Sequence, residues 1–356
     1  MEPFSSYKKH LPYFEDKYTF SICPYDRAGD VMYFIDKYWK EGHILARSFD
    51  FMKWQHYDKI KDRLNFIIAE HKQTKDIHAI YGFTLSSHFD PHIAEPILWG
   101  NIWKNAFEHS EPGLGMMVCW MAYDLFFDMG HVGLGLSQTA VKFSTSNNTV
   151  GIADQYFMLN PSKTHFTIAK NTRQADLYVK TGANFKRQLL ECTLDDFELM
   201  GGDILLSIPP HKSKKYYINR FFKHPIYQYS AFIIKNAQAV IGIAFWRFCY
   251  HESARCIRIV DYFGEENALA GCLNGFVELL EKHDAEYIDF ICVNMPQYEM
   301  ESAGFINRKL VSDIIIPNYF EPFVPKNIDI YYSIDNYHIP TDKRIFKADS
   351  DQDRPS

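Results

Sequence analysis

The stretch Ser110-Glu111-Pro112-Gly113-Leu114-Gly115-Met116-Met117 carries the clearest chemical pattern in the chain. Two glycines one residue apart let a backbone approach a ligand closely, and a helix starting there aims free N–H groups at an anion. Ile97 to Phe107 before it reads as a strand and Leu114 to Phe127 after it as a helix, which is the setting of a pyrophosphate cradle; a plain helix-start turn uses the same residues. His109 stands directly before the turn, and the loop Ser86 to His92 sets His88, Asp90 and His92 at two-residue spacing. Histidine titrates near neutral pH, so His109, or His88 with Asp90, are the candidates for a general base. The same loop has the spacing of a metal site, but no further ligands stand at recognisable distances and no C-x-x-C pair occurs, so no metal is expected. Met129 to Ser137 is too rich in glycine for packing alone, which implies a backbone or ligand close to Gly133 and Gly135.

These residues need elements to hold them. Asp30 to Tyr57 repeats apolar residues at helical spacing, broken at Gly42, with His43 and Arg47 beside the break. Asn65 to His71 and Ile77 to Leu85 read as a hairpin, followed by the strand Pro96 to Ala106. After the glycine turn and its helix come the Met129 to Ser137 strand, a short helix from Thr139, and a strand from Val150 to Leu159.

Composition bounds the classes. At 356 residues, 47% apolar and 16% aromatic, the chain is long and apolar enough for two globular cores. A net charge of −6 without a Lys/Arg block excludes a nucleic-acid footprint and an anionic-membrane surface. Seven scattered cysteines, mostly in apolar runs, read as buried thiols of a reducing compartment. With no signal-like apolar core and no run of about 18 apolar residues, a cytoplasmic protein without membrane insertion is expected.

The element order, with Ser110-Glu111-Pro112-Gly113-Leu114-Gly115 between strand and helix, resembles the GNAT acyltransferase superfamily, whose motif is Gln/Arg-x-x-Gly-x-Gly/Ala. Both glycines match, while Ser110 replaces the basic or amide residue. The resemblance implies that Ser110, Gly113, Leu114, Gly115, Met116 and Met117 hold the pyrophosphate of an acyl-CoA, acetyl-CoA being the simplest. It also implies that Gly133, Gly135 and Ser137 receive the pantetheine arm as an added strand. Ser137 stands where the family often has Asn, and Ser144 where it often has the tyrosine that protonates the leaving thiolate. The expected fold is α/β (α+β), with two tandem GNAT-like domains, each a mixed, mainly antiparallel sheet flanked by helices. The expected division is residues 1–165 for the acyl-CoA domain, 166–205 for a linker, 206–346 for a degenerate acceptor-binding domain and 347–356 for an acidic tail.

The second half repeats the order: strands at Ala231 to Ile234, Ala239 to Arg247 and Ala254 to Phe263, a helix from Ala268 to His283, a strand from Tyr287 to Val293, then Asn294 and the turn Ser302-Ala303-Gly304-Phe305. Its turn Phe263-Gly264-Glu265-Glu266-Asn267 has lost the double glycine and gained two carboxylates that would repel pyrophosphate. Asp261 and Asp289 read either as substrate contacts or as ordinary strand-end polar groups. Lys212 to Tyr229 is basic and aromatic; Arg220, His224, Tyr227 and Tyr229 could stack a base and pair a diphosphate, or form an interdomain packing surface. That stretch and the Asp-x-Asp-Gln-Asp-Arg-Pro ending resemble bacterial tandem GNAT-like proteins of surface-polysaccharide assembly, although composition alone makes the ending a frayed tail. The reading is an acyl-CoA-dependent N-acyltransferase acting on a small-molecule amine, such as a nucleotide-linked amino sugar held between the halves, with oligomerisation open. The alternative is an inactive GNAT-like scaffold, favoured by the missing tyrosine and base.

Overall fold

The structure is a computed structural model and describes residues 7–144, 148–172, 187–200, 212–311, 313–340 and 342–355. Residues 173–186 and 201–211, which hold the Thr181 to Asn184 turn, the Gly201-Gly202 break and much of the expected linker, lie outside the described residues. In chain order the strands are β1 (Tyr18–Pro24), β2 (Tyr57–Asp58), β3 (Arg63–His71), β4 (Ile77–Leu85), β5 (Ile97–Asn105), β6 (Gly130–Leu136), β7 (Asn148–Ile152), β8 (Asp154–Leu159) and β9 (Gln188–Cys192). They continue as β10 (Ser230–Asn236), β11 (Ala239–His251), β12 (Ala254–Gly264), β13 (Tyr287–Val293), β14 (Ile306–Asn307), β15 (Tyr319–Phe320), β16 (Phe323–Val324), β17 (Tyr331–Asp335) and β18 (Ile345–Phe346).

Among the described residues two eight-stranded sheets form, ordered β1-β3-β4-β5-β6-β17-β7 with β2 on β3, and β14-β8-β13-β12-β11-β10-β9 with β18 on β13, and β15 and β16 make a separate two-stranded sheet. Contacts divide the chain into two units, one of residues up to Thr149 with Ser333–Ile339 and the stretch from Ser350, the other Val150–Tyr332 with Pro340–Asp349. This differs from the expected division at residue 165. The stretch Val150 to Leu159, read as one closing strand, is two: β7 stays in the first sheet, while β8 pairs antiparallel with β13 in the second. The edge strand β1 alternates Tyr18, Phe20 and Ile22 with Thr19 and Ser21, a short strand pattern that the sequence reading passed over.

In the first unit the two-residue period of the strands sorts side chains to opposite faces. Phe66, Ile68 and Ile80 pack with Val31, Phe34, Leu45, Phe51 and Met52 of the opening helical segments. Ile67, Ala69, Ala79 and Phe83 pack with Leu114, Met117, Val118 and Ala122 of the Leu114–Leu125 helix. The helical opening is as expected, broken at Gly42, but residues Ile35–Trp39 form a π-helical turn that no spacing rule announces. In the second unit the Leu273–Lys282 helix buries Phe276, Leu279 and Leu280 against the second sheet.

Candidate functional site

Strands β5 and β6 run parallel and pair at Ile97↔Gly130, Leu98↔His131, Trp99↔Val132 and Gly100↔Gly133. Pairing stops there although β5 continues to Asn105 and β6 to Leu136, so the two strands part and leave backbone groups facing an opening. Beside it, the Leu114–Leu125 helix begins at Gly113, whose φ of 88° is the left-handed conformation that glycine adopts without strain. Leu114 N–H donates to Glu111 O and Met116 N–H to Gly113 O, but among the described backbone bonds outside regular elements the N–H groups of Gly113 and Gly115 have no acceptor. The turn is fixed from behind: Glu111 pairs with Lys17 and accepts from the Tyr13 hydroxyl, its N–H donates to the Tyr18 hydroxyl, Asn105 donates to Ser110 Oγ at 3.1 Å, and Trp103 Nε1 donates to Gly115 O at 2.6 Å. Lys17 holds the Glu111 carboxyl below the usual range, and the pair neutralises the acid nearest the helix start.

Helix start and strand opening share one cavity of about 740 Å³. Its walls are Gly100 to Asn105 apart from Ile102 on one strand, Val132 to Ser137 on the other, and Gly115, Cys119 and Tyr123 along the helix, an i, i+4, i+8 stripe on one face. Trp39, Phe107 and Phe143 stand at the mouth, 39%, 76% and 53% exposed. Lys104 is the single Lys or Arg on this wall among the described residues, and its ammonium lies 5.2 Å over the Phe107 ring. Buried Tyr81 and Ser333 and half-buried Cys119 and Tyr123 also line the cavity. Burial pushes the Cys119 thiol up to about 12 and raises the Tyr123 phenol, so both stay protonated at neutral pH. Behind Tyr123, His131 stacks ring on ring at 4.1 Å, donates its Nε2–H to Phe126 O at 3.1 Å, and is pushed down to about 4 by burial.

The sequence candidates distribute unevenly over this geometry. Gly113, Gly115, Met116, Gly133, Gly135 and Ser137 line the cavity, with Ser110, Leu114 and Met117 beside them in the turn and helix; Leu114 and Met117 are core residues. Gly135 has φ 79°, the left-handed conformation that favours glycine, and a Cβ there would displace the end of the Gln352 side chain. Ser144 also lines the cavity, its hydroxyl donating to Ala140 O at 2.9 Å. His109, His88 and Asp90 are not on the cavity wall. The His109 ring lies 6.4 Å from Tyr38 and 6.3 Å from His78; His88 Nε2 donates to Trp54 O at 2.7 Å; buried Asp90 accepts the His92 N–H at 3.0 Å within its own turn. Lys104, Asn101, Cys119 and Tyr123 are among the wall residues that sequence reading missed, and the 115-119-123 spacing is the signal that could have found the last two.

The second unit handles its polar residues differently. Arg220 is buried with its guanidinium donating to Ala348 O at 3.1 Å. His224 Nδ1 accepts the N–H groups of Ile226 and Tyr227; Tyr227 donates to Glu321 at 2.8 Å and lies under the Arg247 guanidinium at 3.9 Å; Tyr229 is buried against Phe221 and His224. All of these contacts lie within the second unit, so the stretch is packed there and these side chains are already engaged. Asp289 is held by Arg258 through two bonds of 2.9 and 2.7 Å, and Asp261 by Lys212 at 2.6 Å, so both are partners in buried ion pairs. The acidic ending is no frayed tail: Asp349, Asp351 and Asp353 are buried, Asp351 paired with Arg354 at 2.7 Å, and Arg354 Nε donates to His43 at 3.1 Å.

No protein-family model and no curated protein sequence matches the chain. In three dimensions it is similar to a GCN5-related N-acetyltransferase of Anabaena variabilis, with a TM-score of 0.54 and 8% identity over 90% of this chain and 73% of that one. It is also similar to a probable N-acyltransferase of Enterococcus faecalis, with a TM-score of 0.52 and 8% identity over 89% and 73% of the two chains. Two mixed sheets flanked by helices, the parted parallel pair and the glycine helix start agree with these likenesses: the chain has the fold of the GCN5-related N-acetyltransferases.

Proposed function

We propose that the protein is an acyl-CoA-dependent N-acyltransferase whose cofactor site is the cavity between β5 and β6. The observation that carries this reading is the union of two features in one cavity: N–H groups at Gly113 and Gly115 for a diphosphate, and two parted strand edges for an extended amide-bearing arm. Lys104 supplies the one fixed cation on the wall, and Trp39 and Phe107 offer aromatic faces for a purine at the mouth. An acyl-CoA thioester supplies the acyl group; the chain aligns it, polarises its carbonyl through a freed N–H of Leu134 to Leu136, and moves protons. As the amine bonds to the carbonyl carbon and the carbon–sulfur bond breaks, the nitrogen loses one proton and the sulfur gains one. Tyr123, protonated and on the cavity wall, is our donor to sulfur in place of the residue at Ser144. The acceptor we propose is a small amine, with nucleotide-linked amino sugars the first class to test on the strength of the sequence likeness. His109, His88 and Asp90 remain proposals for the base, each acting through water.

A second reading, a binding protein without activity, is favoured by one observation: no histidine or carboxylate lines the cavity among the described residues. Thiol release from acetyl-CoA in the presence of an amine panel separates the two. Acceptor-dependent thiol release supports the transferase; acetyl-CoA binding with no release from any amine supports the binding protein.

A further inference from the structure

The second sheet contains a parted parallel pair of the same construction, and it is filled by the chain itself. Strands β12 and β13 pair at Ile257↔Ile288, Arg258↔Asp289 and Ile259↔Phe290, after which β12 runs on to Gly264 and β13 to Val293. Into the gap comes β18, antiparallel to β13 at Cys292↔Phe346 and Val293↔Ile345. Two residues on, Ala348 N–H donates to Val260 O of β12 at 3.0 Å, so the segment 345–348 bonds to both parted edges. Phe346 is fully buried, stacked on Phe290 with centroids 5.6 Å apart and edge-on to Tyr262 at 6.3 Å.

A polar clasp holds the far end. Arg220 donates to Ala348 O at 3.1 Å, Asp349 accepts the Phe346 N–H at 2.7 Å, and the buried Lys212 ammonium bridges Asp349 and Asp261. Buried charges are costly unless paired, so this clasp forms only with the segment in place. Asp349 of the acidic ending and Arg220, which the sequence offered for a diphosphate, are parts of one device.

We propose that residues 343–349 are an intramolecular ligand of the second strand opening: they occupy there the place that the first unit leaves for an extended cofactor arm, and make the second unit a socket for the chain's own strand instead of a second acyl-CoA site. This rests on the acyl-CoA reading only for the comparison between units. The occupancy itself is tested without it.

Hydrogen exchange on the full chain, with and without saturating acetyl-CoA, reads both. The amides of Phe346 and Ala348 should exchange at least a thousandfold more slowly than an unstructured peptide, and acetyl-CoA should leave them unchanged while binding at one equivalent. Asp349→Asn, which removes one charged partner, should speed exchange at 346 and 348 about tenfold to a hundredfold and open buried Cys292 to alkylation, with stoichiometry still one. Unprotected amides at 346 and 348 in the parent would overturn the socket, as would two equivalents of acetyl-CoA bound with loss of that protection. Zero equivalents with intact protection would sink the acyl-CoA reading and leave the socket standing.

Discussion

Gly115→Glu should stabilise the protein and abolish its acyl-CoA binding, two effects of opposite sign from one side chain. Gly115 sits in the first turn of its helix, and a Cβ there would meet Trp103 Nε1 at 3.4 Å and Asn105 Cγ at 3.7 Å, tight but without collision. Replacing glycine in a helix gains about 0.5–1 kcal/mol, and a carboxylate in the first turn adds about 0.3–1 kcal/mol from the helix dipole. Allowing for the tight Trp103 contact, the net is about 1 kcal/mol, or roughly 2–4 °C in Tm for a unit of this size. The same carboxylate enters the cavity where a diphosphate would lie. At about 4 Å and an effective dielectric constant near 20, each like-charge pair costs about 4 kcal/mol, roughly a thousandfold in Kd. Calorimetric titration with acetyl-CoA and a thermal melt on the same samples read both signs. A variant that melts no lower than the parent and binds within threefold of it would refute the placement of the diphosphate.

Three further outcomes follow from the same geometry. Lys104→Ala should weaken acetyl-CoA binding about tenfold to a hundredfold and flatten its salt dependence, read by titration at two ionic strengths; unchanged affinity and salt slope would remove Lys104 from the site. Tyr123→Phe should lower kcat about a hundredfold with acetyl-CoA affinity held, measured by thiol release once an acceptor is in hand; an unchanged kcat would return Tyr123 to a lining role. His43 and His56 are pushed down to about 3 and His131 to about 4, each by burial first. Their depressed folded values mean that the unfolded chain binds more protons, so their stabilising contribution is complete above pH 6.5 and is lost as pH falls toward 4. Each gives a slope of up to about 1.4 kcal/mol per pH unit. Denaturant melts between pH 7.5 and 4.5 read it, and His56→Gln should lower the slope by about one proton; a flat profile in the parent would contradict the buried neutral rings.

What was legible in the sequence was local. Apolar runs rich in isoleucine and aromatics gave β3, β4 and β5 to within two residues, and the Gly113-Leu114-Gly115 turn marked the helix start that lines the cavity. What was not legible depends on partners far along the chain. Asp349, Asp351 and Asp353 read as a solvated tail because nothing near them in sequence announces Lys212 or Arg220 as partners of their segment. Arg220 read as a diphosphate ligand for the converse reason: the carbonyl that takes its guanidinium belongs to Ala348. The strand Val150 to Leu159 has a clear pattern, but a pattern does not say which sheet receives it, and its second half went to β13. His109, His88 and Asp90 drew attention as titratable residues beside loops, whereas the cavity wall is built from strand and helix faces whose polar members, Asn101 and Tyr123, look like ordinary sheet and core residues.

The most direct test of the central claim is a crystal structure of the full chain with acetyl-CoA. The account predicts diphosphate oxygens within hydrogen-bond distance of the Gly113 and Gly115 N–H groups, and the pantetheine arm lying between Asn101 to Asn105 and Leu134 to Leu136. Electron density for the cofactor in any other place, with this cavity empty, would contradict it.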